Sequence, residues 1–303
     1  MEQPNFSQIN QVDLHKGGGN FVIDGGAAIP GRTITVFYHQ PENFNSETPI
    51  LIVVPGTGRN AWDYRDTWVQ HAERNGVLVL APHYSKEQYD FAAYHMGGVI
   101  ENFEMNNTQG DSDNRFYIAD EDVRFDINQD RSKWLFADFD RLFELVVTAT
   151  GSNQQSYDLF GHSAGAQIAH RFALFQPDSK AGRIVAANSG FYTLPNLQKT
   201  PLFGLAKTGL GADELARSFE KELILLLGES DNADSSGGTM LHSPKADQQG
   251  LGRYERGHYF YSVAQMTAST LAMDFNWQLI SVPDTDHDFS AMSEAATRYL
   301  YDN

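Results

Sequence analysis

A chain of 303 residues with 41% hydrophobic content is long enough to bury a large core, and α/β folds of this size often form one domain. Its formal net charge of -17 argues against nucleic acid or anionic membrane surfaces as partners, since both would be repelled, and suits neutral or cationic substrates better; the same acidity also serves solubility. The absence of cysteine excludes disulfides, a thiol nucleophile and thiolate metal sites without fixing the compartment.

No apolar run approaches the ~20 residues a membrane span needs, and the polar stretch Met1 to Lys16 lacks the basic patch and apolar centre of a signal peptide. The chain therefore reads as soluble: cytoplasmic, or secreted or periplasmic if a signal has been removed. Residues 1 to 31 are glycine-rich, with a short strand expected at Phe21-Val22-Ile23; Thr33 to Tyr38 then alternates as a half-buried strand does, giving an antiparallel edge. Pro49 to Val54 is apolar in both directions, as a central parallel strand is, and runs into the glycine-rich loop Pro55-Gly56-Thr57-Gly58-Arg59-Asn60. A helix is expected from Trp62 to Asn75, stopped by Gly76, and a second buried strand from Val77 to Pro82.

From about 83 to 133 the pattern degrades into an aromatic stretch and then an acidic segment, in which residues 101 to 133 carry nine Asp or Glu against four Arg or Lys. With few aliphatics, it reads as a surface excursion beside the site rather than a separate domain. Within it, Asp126 to Asp130 resembles the start of a calcium loop, but Arg131 takes the place of the required glycine and Ala137 that of the closing glutamate, so a solvated loop is expected and no metal. Trp134 to Thr150 is helical. Tyr157 to Phe160 is a strand that breaks at Gly161-His162-Ser163-Ala164-Gly165 into another helix. Strands follow at Arg183 to Gly190, Leu223 to Gly228 and Phe275 to Val282. Between them lie a short helix before Lys221, a second excursion at about 229 to 253 and a helix from Glu255 to Met273; a helix from Phe289 to Tyr301 ends the chain. Strands alternating with helices imply a mostly parallel sheet of about eight strands with helices on both faces, a single domain over 1–303, and ligands at the strands' carboxyl ends.

A Gly-x-Ser-x-Gly pattern is weak by itself, but a strand before it and a helix after it place Ser163 on a strained turn with its hydroxyl exposed. A serine hydroxyl needs a neighbouring base, and the base an orienting acid. Both occur at strand ends in the order this fold requires: Asp231 in Gly228-Glu229-Ser230-Asp231, with Glu229 and Asp234 as rivals, and His287 in Asp286-His287-Asp288. His162 is expected to point away into the scaffold, and His71, His170 and His258 to be surface or satisfied core groups. Trp62, Tyr64, Tyr94, Phe191 and Tyr192 are candidate pocket aromatics, with Tyr192, Trp62 and Tyr94 the substrate-binding candidates; some must also serve the core.

These three segments together resemble the nucleophile elbow, acid turn and histidine loop of the α/β-hydrolase superfamily over residues 32 to 301, and the chain is similar to its dienelactone-hydrolase and polyhydroxyalkanoate-depolymerase-like esterases. The resemblance implies an oxyanion hole from the backbone N–H groups of Thr57 and Ala164. Many relatives carry His-Gly where this chain has Pro55-Gly56, which leaves Gly58 as an alternative donor. The expected function is a cofactor-free serine esterase working through an acyl-enzyme on a small or polymeric ester. Cleavage of a polyester, lactone or amide by the same residues is the alternative, and a noncatalytic binding protein on this scaffold is the reading from another class. Oligomeric state is not legible.

Overall fold

Successive residues of a strand point to opposite faces of its sheet, and in the central strands of this protein both faces are covered. The computed structural model describes residues 9–302 apart from 27, 113 and 236; the polar residues 1–8 and Asp113 of the acidic segment lie outside the described residues. In chain order, β1 (Gly17–Asp24) and β2 (Thr33–Gln40) pair as a hairpin, and β3 (Ile50–Val54) leads through the glycine loop to α1 (Ala61–Thr67), α2 (Val69–Asn75) and β4 (Leu78–His83). The first excursion holds α3 (Phe91–Tyr94), β5 (Ile100–Met105), β6 (Gln109–Gly110), β7 (Arg115–Tyr117) and β8 (Val123–Ile127). Alternation resumes with α4 (Ala137–Thr150), β9 (Tyr157–His162), α5 (Ala164–Phe175), β10 (Ala181–Ala187), α6 (Ala212–Glu220) and β11 (Glu222–Gly228). The second excursion holds β12 (Met240–His242) and α7 (Pro244–Asp247), and the chain closes with α8 (Arg253–Thr270), β13 (Gln278–Val282) and α9 (Phe289–Leu300).

The main sheet has eight strands in the order β1-β2-β4-β3-β9-β10-β11-β13. It is antiparallel from β1 to β4 and parallel from β4 to β13, as an α/β-hydrolase sheet with an antiparallel N-terminal edge. One face, with Ile50, Ile52, Leu159, Ile184 and Leu225, packs against Phe139, Phe172 and Phe260 of α4, α5 and α8. The other, with Leu51, Val53, Phe160, Val185 and Leu226, packs against Tyr64, Ala72 and Met292 of α1, α2 and α9. No helix among the described residues is long and apolar enough to cross a membrane.

Three boundaries differ from the sequence reading for identifiable reasons. The helix expected over Trp62 to Asn75 is two, broken at Trp68, which adopts φ -92° and ψ -8° and buries its indole in the core. The helix expected from Trp134 begins at Ala137, because Asp130 caps a single 3-10 turn over Arg131–Lys133. The last strand starts at Gln278 rather than Phe275, since the Trp277 indole donates to the Ser218 carbonyl (2.9 Å) and holds the preceding segment against the end of α6. The Asp126 to Asp130 run is the end of β8 followed by that cap, with Asn128 buried and donating to the Gly98 carbonyl.

The two excursions, read separately from the sequence, are joined. β12 pairs in parallel with β7, and β7 with β6, as a three-stranded sheet, while β5 pairs with β8. The first excursion also shares a small apolar cluster, Ala92, Met96 and Ile100, with Phe191 and Leu202 of the segment after β10. Four buried arginines tie such segments to the scaffold by donating to carbonyls: Arg59 to Tyr84 and Tyr89, Arg171 to His95, Arg253 to Thr239, and Arg256 to Gly190, Leu241 and Gly250. Planar guanidinium forks satisfy several backbone acceptors at once where a loop has no ladder partner. Arg171 is buried with no carboxylate against it in its hydrogen bonds, and burial lowers its pKa to about 9.

Candidate active site

β9 ends at His162 and α5 begins at Ala164, so Ser163 alone makes the turn, with φ 59° and ψ -115°. A left-handed φ costs a residue with a β-carbon about 1–3 kcal/mol and persists only where the surroundings fix it. Here the Ser163 N–H donates to the Ala187 carbonyl and its carbonyl accepts from the Gln167 N–H, both at 3.0 Å. A β-carbon on Gly161 would overlap the Gly165 carbonyl, and one on Gly165 would overlap the Val54 carbonyl. Both glycines are thus steric requirements of a strand and a helix crossing this closely. Ser163 stands at the N-terminus of α5, where the first N–H groups, including that of Ala164, have no intrahelical acceptor.

Register brings the other strand ends level with it: Val54 pairs with Gly161, Ala187 with His162, and Gly228 with Val282. Just beyond β11, Asp231 is fully buried, whereas its rivals Glu229 and Asp234 are exposed. Beyond β13, His287 brings its Nδ1 within 2.7 Å of Asp231 Oδ2. The other oxygen of Asp231 accepts from Arg253 Nη1 at 2.8 Å. Burial pushes the Asp231 pKa up, but the His287 hydrogen bond and the Arg253 charge outweigh it and hold the carboxyl below its ordinary value. Burial, then the Arg253 charge, holds His287 below the ordinary histidine value against the opposing pull of Asp231. The imidazole is therefore neutral at neutral pH and able to accept a proton. Asn188 braces this corner, accepting from the Gly228 N–H (2.8 Å) and donating to the Asp286 carbonyl (3.3 Å). Gly238, at φ +64°, packs on the imidazole so closely that a β-carbon there would lie 2.8 Å from Nε2. Ser163 Oγ has no hydrogen-bond partner among the described residues, an arrangement common before substrate binds.

The loop after β3 lies against the serine: a β-carbon on Gly56 would be 3.3 Å from Ser163 Cβ. Thr57 and Gly58 are exposed at its tip, in a turn closed by the Arg59 N–H on the Gly56 carbonyl (3.0 Å). The support of this loop comes from side chains outside it. The Tyr94 hydroxyl donates to the Pro55 carbonyl at 2.6 Å, and the buried Arg59 guanidinium lies 3.5 Å over the Tyr94 ring. Tyr64 supplies a second brace: its hydroxyl is 2.9 Å from His162 Nδ1, the Gly56 N–H faces it, and its ring stacks on Phe289. His162 does run into the scaffold, but its ring stands 4.5 Å from that of His287, a contact not anticipated in the sequence. Burial, and then the nearness of His287 and Arg253, hold His162 well below the ordinary histidine range, so a neutral ring backs the candidate base.

Two of the three substrate-binding candidates are structural. Tyr192 is fully buried, stacked on Phe260 (4.6 Å) and tilted against His170, because its backbone is pinned on both sides by Gln249. Tyr94 is buried as the prop just described. Trp62 is 42% exposed but packs edge-on against Phe37 and His83, toward the antiparallel side of the sheet. His170 is a satisfied core histidine, its Nε2 accepting from the Thr193 N–H. Arg253, Asn188 and the brace formed by Tyr64 were missed. Nothing in the local sequence marks Arg253 or Asn188, whereas Tyr64 follows directly after the glycine loop at the start of a helix, where a supporting side chain is expected. Among the described residues no group of three or more His, Cys, Asp or Glu could hold a metal ion.

Sheet order, a serine turn at the end of β9 and an acid–histidine pair beyond β11 and β13 define the class, an α/β hydrolase. Among solved structures, the chain is 34% identical to poly(aspartic acid) hydrolase-1 from Sphingomonas sp. KT-1, covering 94% of this chain and 98% of that one with a TM-score of 0.81. It is 28% identical to a poly(3-hydroxybutyrate) depolymerase from Bordetella parapertussis, covering 95% and 90% with a TM-score of 0.80. A siderophore hydrolase from Aspergillus nidulans, 12% identical over 96% and 95% with a TM-score of 0.55, shares the fold. No protein-family model and no curated protein matches the chain. The chain belongs to the α/β-hydrolase superfamily and is a hydrolase of the esterase and depolymerase type.

Proposed function

We propose that the protein hydrolyses carboxylic esters, among them polyesters of hydroxyalkanoic acids, in one domain whose two excursions wall the site. The observations that carry the reading are the buried Asp231–His287 hydrogen bond of 2.7 Å and a serine held at φ 59° where β9 turns into α5. Ser163 Oγ attacks the acyl carbon and passes its proton to His287 Nε2, while Asp231 fixes the ring's tautomer and stabilises its charged form. The N–H groups of Ala164 and Thr57 stabilise the oxyanion. The tetrahedral intermediate collapses, His287 protonates the departing alcohol, and an acyl-enzyme remains. Water, deprotonated by His287, attacks that acyl carbon and releases the carboxylic acid, so one water is consumed per bond and the serine regains its proton.

The triad chemistry is common to esters and amides, and only the surroundings select the leaving group. The net charge of -17 favours a neutral polymer over one carrying a carboxylate on every unit. The 34% identity to a poly(aspartic acid) hydrolase favours the second reading, cleavage of an amide-linked polyanion. A panel of p-nitrophenyl esters of graded acyl length, 3-hydroxybutyrate oligomers and poly(aspartic acid) separates the two. Turnover of the esters and oligomers is expected; release of products from poly(aspartic acid) with none from the oligomers would overturn the ester reading.

A further inference from the structure

The excursions and the loop after β10 border a cavity of about 550 Å³, within the size range of small-molecule sites. Its walls come from four segments: β8 and the approach to it, the loop after β10, β12 with α7 and the residues after it, and Tyr259 of α8. Val123, Phe125, Phe203 and Leu241 give it an apolar floor. Lys199 and Lys245 stand on its exposed rim, neither with a carboxylate within 4.0 Å among the described residues. Asp120 is the single acid in the lining. The cavity is thus net cationic in a strongly acidic protein, and amphipathic.

Its place relative to His287 follows from chain continuity. Gly238 packs on the His287 imidazole, and three residues of chain bring the backbone to Leu241, so this wall begins at most about 11 Å from Gly238. A chain of a few monomer units is longer than the stretch from Gly238 to this wall.

We propose that this cavity is a subsite for the free carboxylate end of a polyester or oligoester, the apolar floor taking the chain and Lys199 and Lys245 the terminal charge. The proposal rests on the ester-hydrolase reading and makes it more specific. In a hydroxyacid polyester, the fragment bearing the free carboxylate carries the alcohol of the scissile ester, so it is this fragment that leaves when Ser163 is acylated. Anchoring it makes cleavage run from the acid end of the chain. A chain neutral along its length and charged only at one terminus meets the acidic protein surface favourably at one place, the lysines. A methyl-esterified chain has no group for them.

The test compares linear 3-hydroxybutyrate oligomers as free acids and as terminal methyl esters. The wild type is expected to show a KM about tenfold lower for the free acid, the size of one charge-assisted hydrogen bond. K199E/K245E removes that difference while leaving kcat/KM for p-nitrophenyl acetate unchanged, which also certifies its fold. Equal KM values for the two forms in the wild type, or a difference that survives in K199E/K245E, would overturn the proposal. Calorimetric titration of the uncleaved free acid and its methyl ester into S163A reads the subsite without turnover. Preferential binding of the acid supports the subsite even if the ester reading fails, and equal binding refutes the subsite even if esters are hydrolysed.

Discussion

Replacing Arg253 by methionine separates the electrostatics of the acid–histidine pair from its geometry. The guanidinium and the imidazole grip opposite oxygens of Asp231, at 2.8 and 2.7 Å. A protonated His287 would therefore stand roughly 7 Å from the Arg253 charge, and at an effective dielectric of about 20 their repulsion is about 2 kcal/mol. That repulsion keeps His287 below its ordinary pKa together with burial. Without it the imidazolium becomes easier to form, the histidine pKa rises, and the acid limb of the kcat/KM profile moves to higher pH. Rates at pH 8, where the ring is neutral in both proteins, change less than rates at pH 6. Asp231 loses one of its two partners in a fully buried position, so unfolding free energy falls by about 3–5 kcal/mol, the usual consequence of breaking a buried pair. Arg253→Lys keeps the charge and restores most of the wild-type limb. The assay is p-nitrophenyl butyrate hydrolysis from pH 5 to 9, with urea unfolding on the same samples. A folded Arg253→Met protein whose acid limb has not moved would refute the reasoning, because it would mean that His287 does not feel this charge.

Tyr64→Phe removes the hydroxyl that links the loop after β3 to His162. A fall in kcat of about tenfold with little change in KM is expected, together with about 1–3 kcal/mol of lost stability from the unpaired His162 nitrogen; a loss of stability with unchanged kcat would make Tyr64 merely structural. Asp138 provides a pH test of stability. Burial raises its pKa to about 7, against the pull of an Arg141 that is partly exposed and shared with Asp24. A raised acid favours the neutral folded form, so its contribution is full below the unfolded value near 4 and is lost as pH rises through about 7. Asp138→Asn should therefore flatten the decline in urea stability between pH 5 and 8, and a variant with the same slope as the wild type would contradict the assignment.

The parts of the fold that rest on periodicity were legible. Pro49 to Val54 and Leu223 to Gly228 are apolar in both directions because both faces of their strands are covered, and such runs can be little else in a chain that alternates strand and helix. That Ser163, Asp231 and His287 stand just past β9, β11 and β13 was legible, because chain order and strand ends constrain where such residues stand. What was not legible depends on contacts between distant segments. The pairing of β7 with β12 joins residues that no local pattern connects. Tyr192 looked like a pocket residue from its place after a strand, yet a single glutamine, Gln249, holds it inward. Arg253 opens a helix as any surface arginine might, and only the approach of α8 to the acid turn makes it a partner of Asp231.

The central claim is that Ser163 is the nucleophile, activated by His287. The direct measurement is mass-spectrometric mapping of a fluorophosphonate adduct after brief labelling at pH 7. One equivalent on Ser163 is predicted, with labelling abolished in Ser163→Ala and strongly slowed in His287→Ala while both proteins remain folded. An adduct on any other serine, or rapid labelling of folded Ser163→Ala, would contradict the claim.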